Sequence, residues 1–521
     1  MVDNDECIEM SQNHPTLLSF SSPRPPLSPR RFPWRTAAAT LFFTGITLAL
    51  TGCNTPMLHS TVDVPDSFTA VGADEPAGEL EVAWWNSYGD PVLTGLIERA
   101  ARENRDVRIA AERVKAARAG ETISRSALLP NVGLSAGRTK STNGYEGAAQ
   151  GAVPEIDSSS AGLDVSWEID ITGRLRDGAK AAAADAMATV GDARGVRLLV
   201  LTDVATSYFT LAGALHQLDT VRAISQAQDE TLRLVTARQR VGLASAFDVE
   251  RARSDAESAH AAIPPLETLV AVSRHRIAGL MGDPPAKGEG IVPWTGTMTV
   301  PQISPGQPAS LLERRPDLLA SRAELEGANW RRRAAKTEWF PRLFMSALFG
   351  RQDVEVNGAG LGNARFGNVA GMLAMPLLNW GRTRAINDSA EANQNEAVLR
   401  YEDAIVRALE DVENTLVGLR DGRQRAASLT NAADSADAAL KHARSLYDRG
   451  QIDLLPLLDA QRAQLQARLG ANDSQTELML DSVRLFKALG GGWQAFEPVV
   501  APRETQPNHS SQPISAKEDR S

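Results

Sequence analysis

Apolar positions along the chain recur with two periods. Between Leu163 and Asp170 the period is two: Leu163, Val165, Trp167 and Ile169 alternate with Asp164, Ser166, Glu168 and Asp170. That alternation predicts a strand with one apolar and one acidic face, as expected between lipid and water, although a half-buried strand of a soluble sheet reads alike. From Leu201 the steps become three and four, through Val204, Tyr208, Leu211, Leu215 and Leu218, which is a coiled-coil seam. The segment Gly173 to Arg240 therefore predicts one helix of roughly 100 Å, at about 1.5 Å per residue. Gly191 and Gly195 weaken it locally. A helix of that length is abnormal in a soluble globule.

The same pattern occurs twice. A shift of 208 residues places Gly173-Arg174 on Gly381-Arg382, and the seam from Leu201 to Leu211 on Leu409, Val412, Leu416 and Leu419. It also places Gly242 on Gly450, and Leu280-Met281-Gly282 on Ala488-Leu489-Gly490. Upstream the shift is 211, with Arg105-Asp106-Val107 on Pro316-Asp317-Leu318 and Leu129-Pro130 on Phe340-Pro341. One change of offset between polar loops of unequal length is the mark of a tandem duplication. Each copy predicts a medium helix (105–127, 316–338), a strand, a glycine-rich loop (139–160, 351–367) and a second strand. A very long helix, a glycine turn and a returning helix (Val249–Gly279, Leu454–Leu489) follow. In the second copy Leu373, Met375 and Leu377 keep the strand phase, with Ala370, Met372 and Ala374 opposing them.

Composition sharpens this picture. Of 521 residues, 43% are hydrophobic and only 5% aromatic, a balance typical of long helices and coiled coils. The net charge of -9 argues against a nucleic-acid partner. Seven scattered histidines have no ligand spacing, and the two cysteines, Cys7 and Cys53, precede the folded body, so no metal cofactor and no disulfide framework are expected. Arg24, Arg30, Arg31 and Arg35 lead into the apolar run Ala37–Leu50, too short to span a bilayer as a helix but right for an export signal. No other segment is expected to span as a helix. The run ends in Leu50-Thr51-Gly52-Cys53, which resembles a bacterial lipobox. That resemblance implies cleavage before Cys53 and a covalent lipid on it, diacylglyceryl on sulfur and an N-acyl group. Asn54 stands where an inner-membrane retention signal would carry Asp. The long leader before Arg24 would vanish, with Cys7, if translation started later.

The expected segments are a leader and signal (1–52), a lipid-anchored linker (53–83), a first repeat (84–300), a second repeat (301–493) and a disordered tail (494–521). Two copies supply four strands. Transmembrane barrels need at least eight, and an open edge in lipid leaves backbone groups unsatisfied. The chain is therefore expected to oligomerise around an axis, with the subunit number left open.

The stretch Leu311–Met345, with Leu311-Leu312-Glu313-Arg314-Arg315-Pro316-Asp317-Leu318 and Phe340-Pro341, resembles the signature of the TolC superfamily, in its OprM/NodT-type lipoprotein branch. The similarity covers roughly 80–493. It implies a homotrimer whose twelve-stranded outer-membrane β-barrel is continuous with a long periplasmic α-helical barrel. It further implies an exit duct of a tripartite resistance-nodulation-division (RND) efflux system, exporting small toxic compounds. The two turns, with Val241, Gly242 and Leu243 in one and Arg449 and Gly450 in the other, would meet a periplasmic membrane-fusion adaptor, and through it an inner-membrane pump. Asp248, Tyr447 and Asp459 would form the periplasmic gate. Two positions depart from the founding member: Ile452 replaces an arginine and Pro456 an acidic residue.

Each glycine turn also reads simply as a helix cap, and each aspartate as a solvated helix-end charge. Gly358-Ala359-Gly360-Leu361-Gly362 lacks the context of a dinucleotide fingerprint and is expected as a loop tip. No catalytic constellation is evident. The competing functions are a protein-secretion duct on the same fold and a periplasmic coiled-coil adaptor without a pore. The alternating strand disfavours the latter.

Overall fold

The computed structural model describes residues 56–70, 81–142, 154–295 and 299–497. The chain divides into a unit ending at Thr55 and one beginning at Pro56, and only the second is described below. The export signal, Cys53 and the chain beyond Glu497 lie outside the described residues.

The first copy runs α1 (Pro91–Glu103), α2 (Arg105–Ser126), β1 (Asn131–Ser141), β2 (Ile156–Ile169), α3 (Arg174–Arg240), α4 (Ala246–Ala261) and α5 (Ile263–Leu280). The second runs α6 (Pro316–Lys336), β3 (Arg342–Val356), β4 (Ala359–Ala374), α7 (Arg382–Asp448) and α8 (Leu454–Ala488). The long helices α3 and α7 have 67 residues each. Glycines in left-handed conformation punctuate both copies at matching places: Gly173 and Gly381, Gly242 and Gly450, Gly282 and Gly490. The duplication is thus three-dimensional. The weak points Gly191 and Gly195 leave α3 unbroken. At Gly191 a Cβ would lie 2.8 Å from the backbone nitrogen of Ala320, so the missing side chain lets α6 pack onto α3.

The copies differ in the returning arm. In copy two it is one helix, α8. In copy one it breaks at Ala262, because Pro264 and Pro265 supply no N–H and clash with the preceding turn. The uninterrupted helix expected over Val249–Gly279 is therefore two.

The four strands form one antiparallel sheet in chain order, β1-β2-β3-β4. The register aligns Val132, Val165, Ala347 and Val369 in one row and Leu134, Leu163, Phe349 and Gly367 in the next. Ile169, Leu343 and Leu373 form a further row of the same face, so the apolar faces of both copies coincide. Asp164, Ser166 and Glu168 lie opposite, with Gly133, Asn131, Ser346 and Asn368. Leu134, Leu163, Phe349 and Val369 are more than half exposed, so this apolar face has no cover among the described residues. The loop expected over 351–367 is instead the ends of two strands. Asn357-Gly358, both with positive φ, makes a two-residue hairpin turn, the connection that matches strand twist. In copy one strand reaches Ser141 and resumes at Ile156, inside the loop expected over 139–160. Met375 and Leu377 fall beyond β4.

The helical core centres on α3, which packs against α2, α4, α5, α6 and α8. Leu201, Val204, Tyr208 and Leu211 are fully buried, as their seam predicts. A window of α3 reaches a mean hydropathy of 1.5, enough by length and composition to cross a membrane, contrary to expectation. Its apolarity has another cause, because 56% of that window is buried among neighbouring helices. The segment before α1 meets the end of α8 and the turn after it: Trp84 stacks on Phe486 at 5.0 Å and Trp85 on Phe496 at 5.5 Å. Trp493 is buried and Glu497 pairs with Arg194 at 2.7 Å, so the tail expected from 494 is docked as far as Glu497. Upstream, the 56–70 segment runs along α6 and α7. Leu58 N donates to Asn329 Oδ1 at 3.0 Å, Thr61 N to Glu402 at 2.9 Å, and Ala70 N to Glu413 at 2.9 Å.

Candidate functional site at the helix tips

At the far end from the sheet, α3 turns into α4 and α7 into α8. Each long helix closes with a paired backbone motif. Gly242 N donates to Gln239 O at 2.9 Å and Leu243 N to Arg238 O at 2.8 Å. Gly450 N donates to Tyr447 O and Gln451 N to Leu446 O, both at 2.9 Å. This is a Schellman cap, and it requires the left-handed residue that glycine supplies. The capping reading of both glycines holds, and it is what sets the shape of each tip.

The first tip presents apolar side chains to solvent. Val241 is 70% exposed, Leu243 77% and Phe247 70%. Phe247 was not singled out from the sequence, although it stands only four residues after Leu243. The second tip presents Arg449, Gly450 and Gln451, all exposed. Beneath the tips lies a small separate core of Val235, Val249, Ala252, Tyr447, Leu454, Leu457 and Leu458. Tyr447 belongs to it, only 5% exposed, with the Arg238 guanidinium 4.3 Å above its ring. Ile452 packs against the same core.

The aspartates have different surroundings. Asp248 closes a capping box: Ser245 N and Oγ donate to its carboxylate at 2.9 and 2.7 Å, while Asp248 N donates to Ser245 Oγ at 3.1 Å. These bonds hold its carboxyl below the usual range. The equivalent pair in copy two is Asp453 and Pro456, and there no side-chain cap forms. Pro456 removes the N–H that such a cap would serve. Asp459 is more exposed and lies 3.7 Å from Arg251, across the two copies. A second ion pair joins Arg462 to Asp255 at 3.0 Å. Arg251 also acts on Asp248, so it connects two of the three predicted gate residues. Arg251 and Asp459 stand at equivalent places of the repeat, 208 residues apart. The repeat offset could have revealed that pairing. Arg462 and Asp255 carried no such signal.

A chain with an open four-stranded sheet, one apolar face and two helical hairpins ending at shared tips has the makings of a membrane channel segment. The family model described as outer membrane efflux protein matches residues 96–283 and 308–491, and the chain belongs to that family. OprJ, an outer membrane protein of Pseudomonas aeruginosa, is 28% identical over 463 residues, covering 88% of this chain and 97% of its own. A probable outer membrane lipoprotein of Salmonella typhimurium, SilC, is 28% identical over 419 residues, or 79% and 88% of the two chains. Among solved structures, the outer-membrane channel OprN superposes with a TM-score of 0.76 at 27% identity, covering 84% of this chain and 99% of its own. The TolC-like identity and the outer-membrane location expected from the sequence are therefore established.

Proposed function

We propose that this chain is one third of a passive exit duct: three copies close a twelve-stranded barrel in the outer membrane and a helical tube in the periplasm. The carrying observation is the sheet. Both of its edges, β1 and β4, lack a partner strand among the described residues, while one face carries a continuous apolar band. Unpaired edges cannot persist in lipid. Antiparallel order lets β4 of one copy pair with β1 of the next. The helices support the same closure. Leu399, Val406 and Val417 form an exposed stripe on α7, and Ile109 and Ile123 one on α2, on flanks left without a neighbour among the described residues.

In this reading the exposed Val241, Leu243 and Phe247 dock a periplasmic adaptor of an RND pump, and small toxic compounds leave through the tube. Asp248, Tyr447 and Asp459 form the resting gate, held by Arg251 and by the buried tip core. Three-fold repetition would bring carboxylates together at the narrow end, attracting cations and repelling anions. Cys53 carries the lipid. Leu58, five residues after Cys53, is held in the half of α6 nearer β3, which supports an anchor on the membrane side.

Conductance across a planar bilayer tests the duct. The purified oligomer should conduct weakly, and Asp248→Ala with Asp459→Ala should raise conductance severalfold. An oligomer that stays silent with both changes would sink the gated-channel reading. Labelled palmitate should enter the wild type and fail to enter Cys53→Ala.

A further inference from the structure

The apolar face of the sheet ends abruptly. One row beyond Leu163, Phe349 and Gly367, the register places Ala161, Arg351 and Arg365 side by side. Arg351 and Arg365 stand directly opposite each other on β3 and β4, on the same face as the apolar band. Both are exposed, and among the described residues neither forms an ion pair or a side-chain hydrogen bond. Like charges directly opposite in a sheet repel and destabilise the pairing. Their neighbours on this face are already engaged: Arg138 pairs with Asp157 at 2.8 Å and Lys140 with Glu155 at 2.7 Å. Asp353, the next carboxylate along β3 on this face, forms no ion pair with either arginine.

The position identifies the missing counter-charge. From Leu343 to Arg351 is eight residues, about 27 Å along an antiparallel strand, and a strand tilt near 40° makes that roughly 20 Å of depth. The arginine pair therefore sits where the hydrocarbon ends on the side away from the helices. For an outer-membrane protein this is the outer leaflet, whose phosphorylated glycolipid presents anionic groups at that depth. Two guanidinium forks side by side match a phosphate monoester, and the band below them matches its acyl chains.

We propose that Arg351 and Arg365 form a binding site on the outer wall for the phosphate of a lipid A headgroup. The proposal rests on the barrel reading, and it adds a specific lipid contact to it. Phosphate bridging turns the repulsion between the arginines into a clamp across the β3–β4 pair.

The test reconstitutes the full-length lipidated protein in phosphatidylcholine vesicles doped with labelled lipid A, either bisphosphorylated or dephosphorylated. Lipid retained on the solubilised oligomer is then counted. The wild type should retain the phosphorylated form about tenfold better, the loss expected for one or two charge-assisted hydrogen bonds. Arg351→Gln with Arg365→Gln should lose that preference, and Arg351→Lys with Arg365→Lys should keep part of it. Equal retention of both lipids, or a glutamine variant that still discriminates, would overturn the site. So would full displacement by inorganic phosphate, which would mark it as a free-anion site. Conductance of the same samples separates the two levels. Protein that fails to insert refutes the barrel and the site together, whereas conducting protein without lipid preference refutes only the site.

Discussion

Single residues decide how firmly the tips are held. Ser245 and Asp248 satisfy each other's backbone donors at the start of α4, and Ser245→Ala should cost about 1 kcal/mol, the usual value of an N-cap. Thermal unfolding measures that loss. Its pH dependence has a fixed sign. The folded carboxyl of Asp248 lies below its ordinary value of 3.8. The contribution is therefore complete above that value and disappears as pH falls through the lower folded one. The difference between wild type and Ser245→Ala should accordingly be constant at neutral pH and shrink below about pH 4. At Gly191 the constraint is steric. A Cβ there meets the backbone of Ala320 rather than a movable side chain. Gly191→Ala should destabilise by about 1–3 kcal/mol, as overpacking does, and denaturant titration would read it. The sequence presented Gly191 as a weakness in a helix, because propensity is local. Its purpose depends on α6, more than a hundred residues away.

At the scale of elements, the two copies are alike in length and unlike in what they hold. Copy one carries the capped tip and the exposed Val241, Leu243 and Phe247. Copy two carries the uncapped start of α8 and the buried Tyr447. Replacing Val241, Leu243 and Phe247 together by Asp should leave the oligomer intact and abolish adaptor binding and efflux, as judged by cross-linking and drug susceptibility. The exposed side chains contribute little to folding, so loss of the oligomer would contradict their assignment as a docking surface. The long helices and the amphipathic β2 were legible because their periods are set by residues a few places apart. The ends of β3 and β4 were not. Their glycine and asparagine content reads as loop, and strand formation there depends on pairing with a partner that composition does not reveal. The break before α5 was written in Pro264-Pro265, but continuity of the apolar pattern concealed it.

For the whole molecule, face and edge are what matter. Val369 lies in the middle of the apolar band, while its neighbour Asn368 lies on the opposite face. Val369→Lys should reduce insertion into vesicles at a cost of about 2–4 kcal/mol per protomer, whereas Asn368→Lys should be tolerated. Equal effects would mean that the sheet's faces are wrongly assigned to lipid and water. The helices carry a matching lesson. The similar long helices α3 and α7 have different neighbours, α3 at the centre and α7 with an open flank. That open flank is the surface the proposed assembly would cover with a further copy.

The amino-acid sequence by itself determined the duplication, the periods of helix and strand and the glycine turns, and carried the expectation of closure. All of these follow from spacing along the chain and from the rule that backbone groups in lipid must be paired. Only the tertiary structure decided that Arg462 joins Asp255, that Tyr447 is buried beneath Arg238, and that Arg351 faces Arg365. Each joins residues of different elements, and strand register and helix packing set which side chains meet. Two copies with nearly the same local pattern cannot specify such neighbours until they are packed against each other.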